Sequence, residues 1–165
     1  MSEPRDNPYF DELLWVHGMI RRDLEAVRRL ASEVVAGRPA AEVRGELADL
    51  KQDGALWQLK VNCLHYCRFV HHHHRLEDLA VFTALRKIDP DIEPILDRLE
   101  TEHRRVATLL EHIENQAERL DADERVRSRV AAGLDDLGDL LLEHLDFEED
   151  QLERPMARMQ GWGAR

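Results

Sequence analysis

The amino-acid sequence predicts an all-α protein folded as an up-down-up-down four-helix bundle. Glycine and proline are scarce, with eight and six residues in a chain of 165, and most of them lie near the ends of long segments. Those segments are rich in Leu, Ala, Glu and Arg, which favour helices, and their apolar residues recur with the helical period. Four long amphipathic helices joined by short breaks are typical of a bundle.

Composition limits the class of protein before any motif is considered. A chain that is 43% hydrophobic at this length suits one domain over 1–165, with its core at about 8–154 and a short tail at 155–165. The net charge of -11 argues against nucleic-acid or membrane partners. No apolar run approaches the roughly 20 residues of a membrane span, and no signal segment is recognised. Cys63 and Cys67 suit a reducing compartment as core thiols, so we expect a cytoplasmic protein.

The first two helices follow from the breaks that flank them. Asn7 is a usable N-cap, proline follows it at the first helical position, and the first helix is predicted over about 8–36. The segment AGRPAA then ends this helix. The chain up to Asp53 and Gly54 is predicted to be a connector with a short helix, and the second long helix is predicted over about 55–88.

The last two helices are bounded in the same way. The segment DPDIEP supplies a break, and the third helix is predicted over about 92–120. Asp121 with Glu124 three residues later resembles a capping box, so the fourth helix is predicted over about 122–154. Pro155 indicates that a frayed tail follows.

One histidine on each predicted helix lies centrally in the apolar stripe when residues are placed at about 100° intervals. A single buried histidine usually hydrogen-bonds a carbonyl group, but four in register across four helices point to a shared role. On the third helix His112 falls on the wet side and does not belong to this set. The inward residues are His17, His73, His103 and His144.

Two carboxylates share these stripes. Glu77 is four residues after His73, and Glu148 is four residues after His144, so each pair stacks on one helix face about 6 Å apart along the axis. Buried carboxylates that face each other repel unless they share a proton or a cation. Four imidazoles and two carboxylates suit two first-row metal ions bridged by the carboxylates, with iron favoured over manganese or zinc.

Neighbouring polar residues are predicted to lie outside this site. On a helical wheel Asp78 and Glu149 are rotated outward, His71 faces solvent and His72 lies on the flank of the helix far from His73. Arg21 is either a partner of the site's ligands or a side chain that reaches the end of the bundle.

Four segments carry a family resemblance: HGMI around His17, HHRLED with VFTAL from His73, LETEHRRV around His103, and LLEHLDFEED from His144. With these motifs the chain resembles the hemerythrin-like HHE cation-binding domain over nearly its whole length. The resemblance implies two iron ions with an oxo or hydroxo bridge, which handle O2, H2O2 or NO. It also implies a ligand set, with histidines as terminal and glutamates as bridging ligands: His17, His73, Glu77, His103, His144 and Glu148.

Two departures from oxygen-carrying hemerythrins argue against reversible O2 carriage. Those proteins have a second histidine four residues after the one on the third helix, where this chain has Ala107. They also have an aspartate five residues after the fourth-helix histidine, where this chain has Glu148 at four. One imidazole is missing, and Tyr66 or His74 is a candidate substitute. Tyr66 shares the stripe of His73, either as a ligand or as a core tyrosine bonded to a ligand carboxylate.

The leading functional hypothesis is an oxidoreductase that decomposes H2O2 as a catalase does, with O2 and NO as other small-molecule partners. Tyr66 is its candidate catalytic residue, as the donor of a hydrogen bond or an electron. The alternatives are a protein that binds or senses O2 or iron without turnover, and a purely structural bundle. Trp15 and Met19 face away from the histidine stripe, which leaves a monomer or a homodimer open.

Overall fold

The computed structural model describes residues 7–37 and 45–159, and only the backbone at 45–53. Four long helices form a bundle, which confirms the predicted fold class. The first helix packs against the second and the fourth, and the third helix also packs against those two. The first two helices are antiparallel, because His17 contacts His73 whereas Ile20, further along the first helix, contacts Tyr66, which comes earlier on the second.

The helices have the following bounds in the described residues. The first helix, Pro8–Ala36, ends at Gly37, whose φ of 47° lies in the left-handed region that glycine adopts without strain. The second consists of α-helical Gly45–Leu76, a π-helical turn at Glu77–Val81 and α-helical Phe82–Ile88. A 3-10 turn at Pro90–Ile92 leads into the third helix, Glu93–Glu118, and the fourth helix is Glu124–Ala157.

The second helix begins earlier than the sequence predicts. Its backbone is helical through Asp53 and Gly54, so the predicted break there is wrong. A glycine inside a helix costs only about 1 kcal/mol relative to alanine, which the burial of Leu56 and Leu59 directly after it outweighs. The rest of the predicted connector, 38–44, lies outside the described residues.

The helix ends also differ from the predicted caps. The Asn7 side chain does not cap the first helix, and its Nδ2 instead donates to the Glu153 carbonyl oxygen at 2.9 Å. At the fourth helix the cap is Asp123, whose carboxylate accepts from the Arg125 amide at 3.0 Å. That helix continues through Pro155, beyond the predicted end.

The core consists of two apolar clusters separated by a polar layer. The larger cluster includes Leu24, Leu110 and Leu134, together with Cys63 and Cys67, both buried and free as predicted. The smaller cluster surrounds the other end of the bundle and includes the side chains Phe82, Leu96 and Leu152. On the first three helices the inward histidine comes between residues of the two clusters, and on the fourth His144 directly precedes Leu145, the last buried residue of the larger cluster there. The bundle therefore places the four histidines in one layer.

Across the described ranges, no helix combines the length and the apolar character needed to cross a membrane.

Candidate metal centre

Seven ionisable side chains form the polar layer between the two apolar clusters. Six are buried, and the side chain of His73 is 11% exposed. The layer contains all six residues predicted from the sequence as metal ligands, and it contains one more imidazole. Its members are His17, His73, His74, Glu77, His103, His144 and Glu148.

The imidazoles of the layer fall into two groups, in each of which the ligand-type atoms lie within 4.8 Å of one another. One group contains His17, His73 and Glu77, and the other contains His74, His103 and His144. The two groups are therefore unequal, with two imidazoles on one side of the layer and three on the other.

The two glutamates lie between these groups. Glu77 belongs to the first group and also forms a third group with His103 and Glu148. The Oε2 atom of Glu148 lies 3.2 Å from Nε2 of His144 and 3.8 Å from Nε2 of His17. Each carboxylate thus reaches both sides of the layer, which is the geometry of a bridging ligand.

The donor atoms that face the middle of the layer form no well-aligned hydrogen bond among the described residues, although Nε2 of His73 lies 2.6 Å from Oε1 of Glu77. These atoms are Nε2 of the five imidazoles and both carboxylate oxygens of each glutamate. Buried polar atoms are nearly always paired, because an unpaired one costs about 1 to 3 kcal/mol. So many unpaired nitrogen and oxygen donors at one place fit a site for first-row metal ions.

His74 adds a fifth imidazole to the layer. Its ring stacks on His103 with centroids 3.9 Å apart, and its edge meets His144 at 5.1 Å. His73 instead meets His17 on the first helix, with centroids 5.3 Å apart. Because consecutive residues point about 100° apart, the second helix offers one imidazole to each side of the layer.

The buried face of the second helix is rotated from the predicted one, since its centre lies between His73 and His74. Leu76, which lies near His73 on the helical wheel, is 52% exposed as a result. The π-helical turn that follows adds one residue to the register, and this addition brings Phe82 and Leu85 back to the buried face. Such turns are frequent at functional sites.

Three imidazoles hold a carboxylate from a neighbouring helix on the Nδ1 side. His17 pairs with Glu149 at 3.3 Å, His103 with Asp78 at 2.7 Å and His144 with Glu102 at 2.8 Å. Asp78 and Glu149 are rotated out of the layer, as predicted, yet each contacts one of its imidazoles from the outer side. They point away from their own helix's stripe but toward the histidine of the next helix, and their only sequence signal is that each directly follows a buried glutamate.

Arginines hold two of these carboxylates in place. Arg21 pairs with Glu149 and also with Asp146 at 2.8 Å, so it contacts a partner of the site, one of its two predicted roles. Arg98 pairs with Glu102 at 3.1 Å and lies 3.7 Å over the ring centre of Phe147.

Burial keeps the imidazoles of His74 and His144 in the form that binds metals. Desolvation, followed by the nearby histidines, holds the pKa of His74 well below its usual value. Desolvation and His103 likewise lower the pKa of His144 to about 4. Desolvation alone would raise the pKa of Glu77, but the interactions with His73 and other imidazoles outweigh it and lower that pKa. Neutral imidazoles and ionised carboxylates are the states that metal ligands require.

The comparison with known protein families agrees with this arrangement. The family model of the Hemerythrin HHE cation binding domain matches residues 9–154. The chain belongs to this family. No curated protein and no solved structure matches the chain. The hemerythrin family model thus spans all four helices and every residue of the polar layer.

Tyr66 lies beside the polar layer of this hemerythrin domain, within the larger apolar cluster. Its hydroxyl donates a hydrogen bond to the Ile20 carbonyl oxygen at 3.1 Å, not to a carboxylate of the layer. Burial raises its pKa, so the phenol stays protonated. The hydrogen bond joins the first two helices, and a catalytic role for Tyr66 stays a prediction from the sequence.

The remaining residues of the histidine run of this hemerythrin domain lie outside the layer. His72 is exposed. His71 does not simply face solvent, since its side chain is 32% exposed and its Nε2 lies 3.0 Å from Glu114 on the third helix. Of the four consecutive histidines, the last two, His73 and His74, therefore belong to the layer.

A surface groove of about 420 Å³ approaches the layer of this hemerythrin domain between the third and fourth helices. It is lined by Arg98, Thr101, Glu102, Arg105, Leu140, Glu143 and His144. The groove therefore ends at the Glu102 and His144 pair, on the side of the layer that has three imidazoles.

Proposed function

We propose that the polar layer binds two iron ions and that the protein decomposes hydrogen peroxide as a catalase does. The observation that carries the proposal is the set of unpaired buried donors, five imidazole nitrogens and four carboxylate oxygens. In this proposal the glutamates bridge the ions. The terminal ligands are His17 and His73 on one side and His74, His103 and His144 on the other.

Membership of a cation-binding family supports a metal site, and the chemistry of the donors supports iron. Mixed nitrogen and oxygen donors without a thiolate suit iron, with manganese or zinc next. Cys63 and Cys67, the free thiols of the chain, lie in the larger apolar cluster rather than in the layer. A bound iron pair would supply redox chemistry toward H2O2, O2 or NO.

The protein's own residues would prepare the site for this chemistry. Glu77 and Glu148 hold the two sides of the layer together, and the apolar clusters above and below keep bulk water away. A small neutral molecule such as H2O2 can approach along the groove that ends at His144. Burial lowers the pKa of His74 and His144, which keeps these two imidazoles neutral at pH 7.

Metal content together with the visible spectrum tests the site. We expect two iron ions per chain in protein purified with iron, and an absorption band typical of an oxo-bridged ferric pair. Native preparations with far less than one metal ion per chain would contradict the proposal and favour a purely structural bundle.

Oxygen release from H2O2 tests the activity. We expect iron-loaded protein to release O2 faster than a Glu148→Ala variant, because this variant loses one bridging carboxylate. Glu153→Ala, which removes an exposed carboxylate from the same helix, is the matched control and should behave as the unmodified protein does.

Equal rates for the unmodified protein and Glu148→Ala would contradict the catalase-like activity. A stable, reversible O2 adduct in protein that releases no O2 from H2O2 would instead indicate a binding or sensing protein.

A further inference from the structure

The carboxylates on the Nδ1 side of three imidazoles share one arrangement. Each comes from a helix next to the histidine's own helix, at 2.7 to 3.3 Å. Their side chains are 15 to 36% exposed, so each reaches in from the surface toward a buried ring. The three carboxylates are Asp78, Glu102 and Glu149.

An ionised carboxylate can only accept a hydrogen bond, so the ring nitrogen beside it must carry the proton. In a neutral imidazole the other nitrogen, Nε2, then has a free lone pair. In His17, His103 and His144 that nitrogen is buried, faces the layer and forms no well-aligned hydrogen bond, although in His144 it lies 3.2 Å from Oε2 of Glu148. The outer hydrogen bond and the inner lone pair are thus two consequences of one tautomer.

We propose that these three carboxylates are positioning residues, each fixing the tautomer and the ring orientation of the imidazole that it contacts. The inference rests on the proposed metal site, since orientation of Nε2 toward the layer matters most if a metal binds there. The carboxylates do not reach the middle of the layer and act through the histidines.

The chain offers a matched control pair outside the layer. His71 and Glu114 join the second and third helices at 3.0 Å, and the Glu114 side chain is 27% exposed, within the range of the three carboxylates. The His71 side chain is itself 32% exposed and has no atom in the groups of the layer. Glu114→Ala therefore removes a histidine–carboxylate contact between helices without touching the layer. Glu102→Ala removes one that belongs to it.

The tautomer can be read from nitrogen chemical shifts in metal-free protein at neutral pH. We expect His144 to carry its proton on Nδ1 in the unmodified protein and in Glu102→Gln, whose amide oxygen can still accept. In Glu102→Ala we expect the proton to move largely to Nε2. An unchanged Nδ1 tautomer in Glu102→Ala would overturn the proposal, whether or not the protein binds metal.

Metal affinity, measured by competition with a chelator for iron(II), gives the second readout. We expect Glu102→Ala to bind about 10- to 100-fold more weakly and Glu102→Gln to recover most of the affinity. Glu114→Ala should bind iron(II) as tightly as the unmodified protein does. In metal-free form, it should lose about as much thermal stability as Glu102→Ala. Equal affinities for Glu102→Ala and Glu114→Ala would overturn the positioning role. Absence of metal binding in the unmodified protein would overturn the proposed function instead, and the chemical shifts would still decide the tautomer.

Discussion

The second and the fourth helix carry the same motif, yet they contribute differently to the polar layer. Each has a histidine, a glutamate four residues later and an acid directly after it, and each acid contacts the histidine of the next helix. The residue after His73 is a second inward histidine, His74, whereas Leu145 follows His144. The repeated motif therefore builds the frame of the layer, and the single residue that differs makes its two sides unequal.

The difference between the first and third helices also favours the side of the layer that has three imidazoles. Glu102, which precedes the third-helix histidine, contacts His144, whereas the residue that precedes His17 is Val16. The side of the layer with three imidazoles thus also has the additional carboxylate. A nearly twofold repeat of helices thus gives the two sides of the layer different sets of imidazoles and carboxylates.

Metal removal has the largest expected effect, because it leaves all the buried donor atoms of the layer without a metal partner at once. A metal present at 1,000 times its dissociation constant adds about 4 kcal/mol to the free energy of unfolding. For a domain of this size we expect chelation to lower the thermal midpoint by about 8 to 16 °C. Differential scanning calorimetry with and without a chelator measures the shift. Equal midpoints would contradict a metal shared by both sides, and added iron should restore the midpoint.

His74→Leu gives the second helix the residue type that the fourth helix has, so that both sides would have two imidazoles. We expect one of two ions to bind more than about tenfold more weakly, which corresponds to 1.4 kcal/mol. Metal analysis after dialysis should then give about one ion per chain.

Leu145→Met is the matched control for that variant, because it changes the equivalent buried residue at a cost below about 1.5 kcal/mol. It should keep two ions per chain. Two ions in His74→Leu as well would show that the third imidazole does not distinguish the two sides.

Tyr66→Phe compares positions seven residues before the histidines, where the fourth helix has Leu137. The variant loses the hydrogen bond to the Ile20 carbonyl, so we expect about 1 kcal/mol less stability. The thermal midpoint of metal-free protein should fall by about 2 to 4 °C. O2 release per folded, iron-loaded molecule is measured in parallel. A rate that falls as well would support the catalytic role predicted from the sequence, and an unchanged midpoint would contradict the structural one.

Arg21→Ala has the smallest expected effect, since it acts on the layer only through Glu149. Arg28→Ala is its matched control: both arginines are about one-third exposed and pair with carboxylates of the fourth helix, but Arg28 contacts Asp135, far from any layer histidine. Each loss should cost at most about 1 kcal/mol of stability. Only Arg21→Ala should weaken iron(II) binding in chelator competition, by a few-fold at most. Equal affinities for the two variants would show that Glu149 needs no support.

The four helices and the six inward histidines and glutamates could be predicted from the sequence, because buried residues recur along each helix with the helical period. An inward histidine or glutamate shares its stripe with several leucines, so the whole helix determines its direction. The predictions were wrong where one or two residues determine a helix boundary or the centre of a buried face. A single glycine, Gly54, did not end a helix, and the stripe of the second helix was centred on His73 although its true centre lies toward His74.

By itself, the sequence determined the bundle and the six-residue set of histidines and glutamates that it brings together, since helical periodicity encodes which residues turn inward. Only the tertiary structure decided the roles of flanking residues, because these depend on how neighbouring helices are rotated against each other. His74 became a fifth inward imidazole, and Asp78, Glu102 and Glu149 turned toward rings on adjacent helices. Such contacts cross from one helix to another, where no period along a single helix can report them.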